Sequence, residues 1–154
     1  MAFMEEITGY KEKIMELLWR NSDIKNIIKE VMNLSSLSYT QFRKHVKRYG
    51  KHPDRIQDEG VYLFFEVDPN SVQNSTVSRY TIYFWIFVND DIVENQKGEV
   101  LTDTIASIID KMINGNSNFG IGPLELVSAP TSNTVTGWCC RQLTYKTPDF
   151  NRRR

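Results

Sequence analysis

The sequence contains few residues of the kinds that cross-link small proteins or bind metals. Its 154 residues include only two cysteines and two histidines. The cysteines, Cys139 and Cys140, are adjacent, and neighbours on a strand face opposite ways, so we expect neither a disulfide between them nor a zinc-ligand spacing. His45 and His52 have no pattern of cysteines or carboxylates near them that predicts a metal site. We therefore expect no metal and no cofactor.

The chain also lacks a net charge and a long apolar run. Lysine plus arginine and aspartate plus glutamate number 19 each, so no global field draws the whole molecule to nucleic acid or to a membrane. No apolar run reaches the about 20 residues of a membrane span. The N-terminal sequence Met-Ala-Phe-Met-Glu-Glu is acidic, whereas a secretory signal begins with basic residues. We expect a protein that is made in a cytoplasm and has no membrane partner.

Two runs predict strands that are apolar on both faces. Residues 79–88 place Tyr80, Ile82, Phe84, Ile86 and Val88 on one face, and Thr81, Tyr83, Trp85 and Phe87 on the other. Residues 61–67 show the same pattern, with Leu63 and Phe65 opposite Tyr62 and Phe64. An antiparallel strand with one solvated face alternates apolar and polar residues, so these two strands need a cover on both faces.

The remaining elements surround this pair of strands. Apolar residues at helical spacing predict a helix over 5–19, a short helix capped by Ser22, and a helix from Leu101 that ends at Asn114 and Gly115. Residues 123–127 and 137–146 predict two more strands, the first at an edge of the sheet because of its proline.

The order of these elements is α-α-β-β-α-β-β, which predicts the α+β class. We expect two layers, an antiparallel four-stranded sheet with helices on one face. The predicted domain covers residues 1–150 and contains a long basic loop or insertion at 33–60. Residues 151–154 form a basic tail that we expect to be flexible.

Basic and aromatic residues are interleaved within the segment 37–55. Phe42 and Tyr49 lie among the cations that are candidates for contact with a partner or with DNA: Arg43, Lys44, Lys47, Arg48 and Lys51. A basic patch with aromatic residues is typical of contact with a phosphate backbone. The alternative is a solvated helical face or a loop that pairs with an acidic neighbour. A short helix near 39–49 is compatible with both.

The helices of the predicted fold are enough to cover one face of the sheet only. The second face then carries a contiguous aromatic set, namely Tyr62, Phe64, Tyr83, Trp85 and Phe87. Each large aromatic side chain has about 150 to 250 Å² of surface to bury, so together they exceed the patch that a monomer normally exposes. We expect these five residues to lie at an interface between copies of the chain. The alternative is that the connection 33–60 folds back over this face.

Element order and local sequence also show a resemblance to a known family. The relevant segments are 14–19 and 23–28 in the first two helices, 83–88 in the aromatic strand, 103–110 in the third helix, and 120–127 and 137–145 in the last two strands. In this order of elements and apolar positions, the chain resembles the tail-completion or tail-terminator proteins of tailed bacteriophages. The likeness covers most of the chain and contains no catalytic signature.

The resemblance implies a virion protein of the phage neck and no enzyme. Such a protein forms a ring, usually hexameric, on the last ring of the tail tube, where it stops tube growth and presents a surface to the head connector. The implied partners are further copies of the chain, the tail tube protein and a head-completion or connector protein, with DNA nearby. The implied location is the virion, and the host cytoplasm during assembly. Two alternatives are open: a head-completion or head-tail joining protein, and a small nucleic-acid-binding α+β module.

Overall fold

The computed structural model describes residues 3–50, 60–69, 72–73, 76–77, 80–117, 123–132 and 136–147. The helices are α1 (Phe3–Arg20), α2 (Ser22–Val31), α3 (Tyr39–His45) and α4 (Leu101–Ile113). The strands are β1 (Val46–Lys47), β2 (Val61–Pro69), β3 (Val72–Gln73), β4 (Thr76–Val77), β5 (Tyr80–Asn89), β6 (Glu125–Ser128), β7 (Thr131–Ser132) and β8 (Trp138–Lys146). The predicted tail at 151–154 lies outside the described residues, so the predicted domain limits stay a prediction.

The main sheet confirms the predicted α+β class but has six strands instead of four. Its order is β1-β2-β5-β8-β6, and β7 also pairs with β8. The four predicted strands are β2, β5, β6 and β8, and they are antiparallel neighbours. The two additional strands are β1, which is parallel to β2, and β7. Each has two residues, which is too short for a period of two to show in the sequence. In the described part of the chain, β3 and β4 pair with each other as a separate two-stranded sheet, and along the chain they lie between β2 and β5.

The helices begin and end close to the predicted residues, with one correction. The N-cap of α2 is Asn21 and not Ser22, because the Asn21 side chain accepts a hydrogen bond from the Ile24 amide at 3.0 Å. The predicted end of α4 is confirmed, since Asn114 is its C-cap and Gly115 follows with φ of 77°. The short helix that the sequence allowed near 39–49 forms as α3, so the long connection has regular structure of its own.

The helices and one face of the sheet enclose the main core. Phe65 of β2, Phe84 of β5 and Tyr145 of β8 are fully buried there against apolar residues of α1, α2 and α4. Polar contacts tie the two layers together at their margins. The Tyr80 hydroxyl donates to Glu6 of α1 at 2.8 Å, and the Tyr145 hydroxyl donates to Asp110 of α4 at 2.8 Å. These two hydrogen bonds therefore join the helix layer to one face of the sheet.

Candidate functional site

The five aromatic residues predicted for the second face do share one face of the sheet. In the register of β2 and β5, Tyr62 is opposite Phe87, and Phe64 is opposite Trp85. The Phe64 and Phe87 rings are 5.7 Å apart at nearly a right angle, and the Tyr83 and Trp85 rings stack at 5.5 Å. The prediction that these five side chains lie on the same face of the sheet is therefore confirmed.

The prediction that this face is uncovered is wrong for three of the five residues. Tyr62, Phe64 and Phe87 are 5%, 0% and 3% exposed within the single chain, where they form a second apolar cluster with Cys140. Tyr83 and Trp85 are half-buried. The aromatic set thus leaves a much smaller apolar patch than the sequence predicted, and its role as an interface between copies stays a prediction.

Two contacts show that the long connection reaches the second face. The His45 ring stacks on Tyr62 with 4.8 Å between centroids, and His45 Nδ1 lies 2.9 Å from the Val61 carbonyl oxygen. Gly50 lies against Trp85, since a Cβ atom at this position would be 3.4 Å from the indole ring. Both residues belong to the segment 33–60. These contacts favour the alternative in which this connection folds over the aromatic face.

The same connection forms a cleft, called the basic cleft below, of about 620 Å³. Its lining consists of Met15, Tyr39, Thr40, Arg43, Lys44, Val46, Lys47, Arg48 and Tyr49. The structure thus brings together four of the five predicted contact cations. The fifth, Lys51, lies outside the described residues. Of the two aromatic residues predicted to lie among these cations, Tyr49 lines the cleft, whereas Phe42 is fully buried in the main core.

Helix α3 orients two of the cations, Arg43 and Lys44, because it is anchored at its start and on one side. A capping box fixes the start: the Ser38 hydroxyl accepts from the Gln41 amide at 3.2 Å, and the Gln41 side chain accepts from the Ser38 amide at 3.1 Å. Phe42 points inward, with its ring centroid 5.1 Å from that of Trp19. The next two residues, Arg43 and Lys44, are consequently exposed.

Tyr39 is a cleft residue that the sequence prediction missed. It is one turn of helix before Arg43, and the Arg43 guanidinium lies 5.8 Å from the centre of the Tyr39 ring. The pattern Ser38-x-x-Gln41 could have identified Tyr39 from the sequence. It is a capping box, which predicts that α3 starts here and therefore that Tyr39 and Arg43 lie on the same side of the helix.

The charged side chains in the described lining of the basic cleft are arginines and lysines. Of the described residues that line it, none is an aspartate or a glutamate. Arg48 Nε is buried and has no hydrogen-bond partner within the described part of the chain. A smaller adjoining cleft, of about 400 Å³, shares Tyr39 and Arg48 and contains Glu12 and Glu16. Glu16 pairs with Arg20 on α1.

A second exposed surface is the edge strand β6. All four of its residues are exposed, including Leu126 at 37% and Val127 at 53%. A β-bulge at Val127 interrupts the pairing with β8, and Asn114 Oδ1 accepts from the Leu126 amide at 3.3 Å. The proline at 123 predicted the edge position correctly, but the exposed apolar side chains on it were not predicted.

These surfaces define the class of the protein, which is a two-layer α+β protein with a basic cleft and an exposed edge strand. The described helices include none with the length and apolar character to cross a membrane. The described residues also contain no group of three or more histidine, cysteine, aspartate or glutamate side chains that could hold a metal ion.

Comparison with known proteins identifies the family. The family model of YomW matches residues 11–147, which is most of the chain, and the protein therefore belongs to the YomW family. This family is phage-derived, so the protein is phage-related. No curated protein sequence matches the chain.

Proposed function

We propose that the protein is a structural component of the virion, a tail terminator that forms a hexameric ring at the head-proximal end of the tail tube. The observation that supports the proposal is membership of a phage-related family, together with the resemblance of the predicted element order to that of tail terminators. The ring stops tube growth, binds the tail tube protein on one side, and binds a head-completion or connector protein on the other. This function requires rigid docking surfaces and neither catalysis nor a cofactor.

The edge strand β6 is the surface that best supports contact between copies. Since most of the aromatic face is buried within the chain, the ring contact needs another apolar surface. Leu126 and Val127 provide one, because both are exposed on a strand that, among the described strands, has a partner on one side only. A ring requires a head-to-tail contact, in which β6 of one copy meets a different surface of the next copy.

Negative-stain images of the purified protein, alone and mixed with tail tubes, test this proposal. We expect rings, and tubes that are blocked at one end. The variant Val127→Asp should remain monomeric, because it places a charge on the exposed apolar strand. Val100→Asp is the matched control, since Val100 is an exposed apolar residue at the start of α4. A wild-type chain that stays monomeric in light scattering and leaves both tube ends unchanged would contradict the proposal.

The nearest alternative is a head-completion or head-tail joining protein, which also needs a ring but docks on the portal side. The same images distinguish the two functions. A tail terminator binds isolated tails, whereas a head-completion protein binds filled heads and leaves the tail tubes open.

A further inference from the structure

We infer that the basic cleft binds single-stranded nucleic acid, with phosphates on its cations and a base against Tyr49. This inference does not depend on ring formation, since the cleft lies within one copy of the chain. It concerns a ligand class that the tail-terminator function does not require.

Positive charge is concentrated in the cleft. Arg43, Lys44 and Arg48 line a concavity whose described lining contains no carboxylate. The chain as a whole has equal numbers of acidic and basic residues, so this is a local concentration of positive charge. Such a concentration of positive charge attracts an anionic ligand.

Arg48 has a buried hydrogen-bond donor. A buried N–H group without an acceptor costs free energy, and most buried polar groups in folded proteins have a partner. Arg48 Nε is such a group, at a position that borders both clefts. Because Arg48 also lines both clefts, its planar guanidinium group, which matches phosphate geometry, is a suitable partner for a phosphate bound there.

The exposed Tyr49 ring favours nucleic acid over an acidic peptide as the ligand. Tyr49 is 46% exposed in the lining of the cleft, and its ring contacts no other aromatic ring within the described residues. Single-strand binding sites combine a positive groove with aromatic side chains on which bases stack. The carboxylate side chains of an acidic peptide would satisfy the cations, but they have no flat ring to place against Tyr49.

The shape of the cleft selects a single strand over a duplex. Its volume of about 620 Å³ is that of a small-ligand site, enough for roughly two nucleotides. A flexible single strand can bend into a concavity of this size. Duplex DNA is stiff over about 150 base pairs, so it can reach only the rim.

Fluorescence anisotropy with a labelled oligothymidylate of about twelve nucleotides tests the inference. For about three neutralised phosphates, the affinity should fall roughly 20-fold between about 50 mM and about 200 mM salt. The triple variant Arg43→Gln, Lys44→Gln and Arg48→Gln should lower the slope of log affinity on log salt by about two. The control replaces exposed lysines outside the cleft by glutamine, namely Lys13, Lys97 and Lys111, with the same change of net charge. It should bind like the wild type.

Arg48 is partly buried, so the double variant Arg43→Gln and Lys44→Gln provides a second test at exposed positions only. Circular dichroism confirms the fold of each variant. Tyr49→Ala should weaken oligothymidylate binding at least about fivefold, and Tyr49→Phe should restore it, because phenylalanine keeps the stacking surface.

Four outcomes would overturn the inference. The cleft variants could bind as the wild type does, or the control triple variant could lose as much affinity as they do. Duplex DNA of the same length could bind more tightly than the single strand. Polyglutamate could compete as well as unlabelled oligothymidylate, which would show that the ligand is an acidic peptide.

Discussion

The two adjacent cysteines illustrate how one step along a strand changes the environment of a thiol. Cys140 is buried in the second apolar cluster, and burial raises the pKa of its thiol to about 11. Cys139 faces the other way and is half-buried, and its thiol donates to Asp90 Oδ1 at 3.0 Å. The pKa of the Cys139 thiol is raised to about 11, mainly because of this hydrogen bond and secondly because of burial. Both thiols are therefore protonated at neutral pH, and neither has the character of a nucleophile.

We predict slow alkylation of both thiols in the folded protein. A rise in pKa from 9.0 to about 11 lowers the thiolate fraction at pH 8 about a hundredfold. Iodoacetamide labelling followed by mass spectrometry should show Cys139 reacting faster than Cys140, because its sulfur is more accessible, and both reacting much faster in urea. The variants Cys139→Ser and Cys140→Ser isolate each thiol. Labelling of Cys140 at the same rate in folded and unfolded protein would contradict the prediction.

The same shifts give stability a dependence on alkaline pH. Each folded thiol holds its proton more tightly than the unfolded one, so its contribution to the free energy of unfolding is complete below about pH 9. The contribution is lost as the pH rises from 9.0 towards about 11. Burial also raises the pKa of Tyr80 and of Tyr145, and each is hydrogen-bonded to a carboxylate, which acts in the same direction. The urea midpoint should therefore fall above about pH 9.

Among the elements, α3 is the one whose stability most directly controls the basic cleft. It has only seven residues, so it depends on its cap and on the anchoring of Phe42. Ser38→Ala removes the hydroxyl that accepts from the Gln41 amide and should lower the free energy of unfolding by about 1 kcal/mol. Ser36→Ala is the matched control, because Ser36 is exposed just before the helix. Urea denaturation of both variants measures the difference, and equal midpoints would show that the capping box contributes nothing.

The accuracy of the sequence predictions depends on element length. Period-two and helical spacing need several repeats, which β2, β5, β8, α1 and α4 provide, and these elements were predicted correctly. The two-residue strands β1 and β7 contain no repeat and were missed. The N-cap of α2 was assigned one residue too late because Asn21 and Ser22 are both good capping residues, and only the hydrogen bond to the Ile24 amide decides between them.

On the scale of the whole molecule, the sequence predicted which side chains share a face but not what covers that face. Period two assigns Tyr62 and Phe64 to one side of β2 without any knowledge of the rest of the chain. The cover comes from contacts such as those of His45 and Gly50, in a connection with no long apolar repeat. Lengthy connections of this kind therefore need tertiary information before an aromatic face can be assigned to an interface.

The aromatic face either belongs to the core of one copy or joins two copies, and substitutions of Phe64 and Tyr83 distinguish these two cases. Phe64 has no exposed surface in the single chain, so Phe64→Ala should lower the free energy of unfolding by about 3 to 5 kcal/mol. Tyr83 is half-buried, so Tyr83→Ala should lower the free energy of unfolding by much less. Both substitutions are made in the Val127→Asp background, which removes the proposed ring contact.

Urea denaturation at about 1 μM and about 50 μM protein provides the measurement, because the stability of an associating protein rises with concentration. If the aromatic face belongs to the core, Phe64→Ala lowers the free energy of unfolding by the same amount at both protein concentrations. If it joins copies, the parent protein is more stable at the higher concentration, and Tyr83→Ala removes that difference. The burial of Phe64 within one chain leads us to expect the first result, which agrees with the proposal that copies meet at β6 instead.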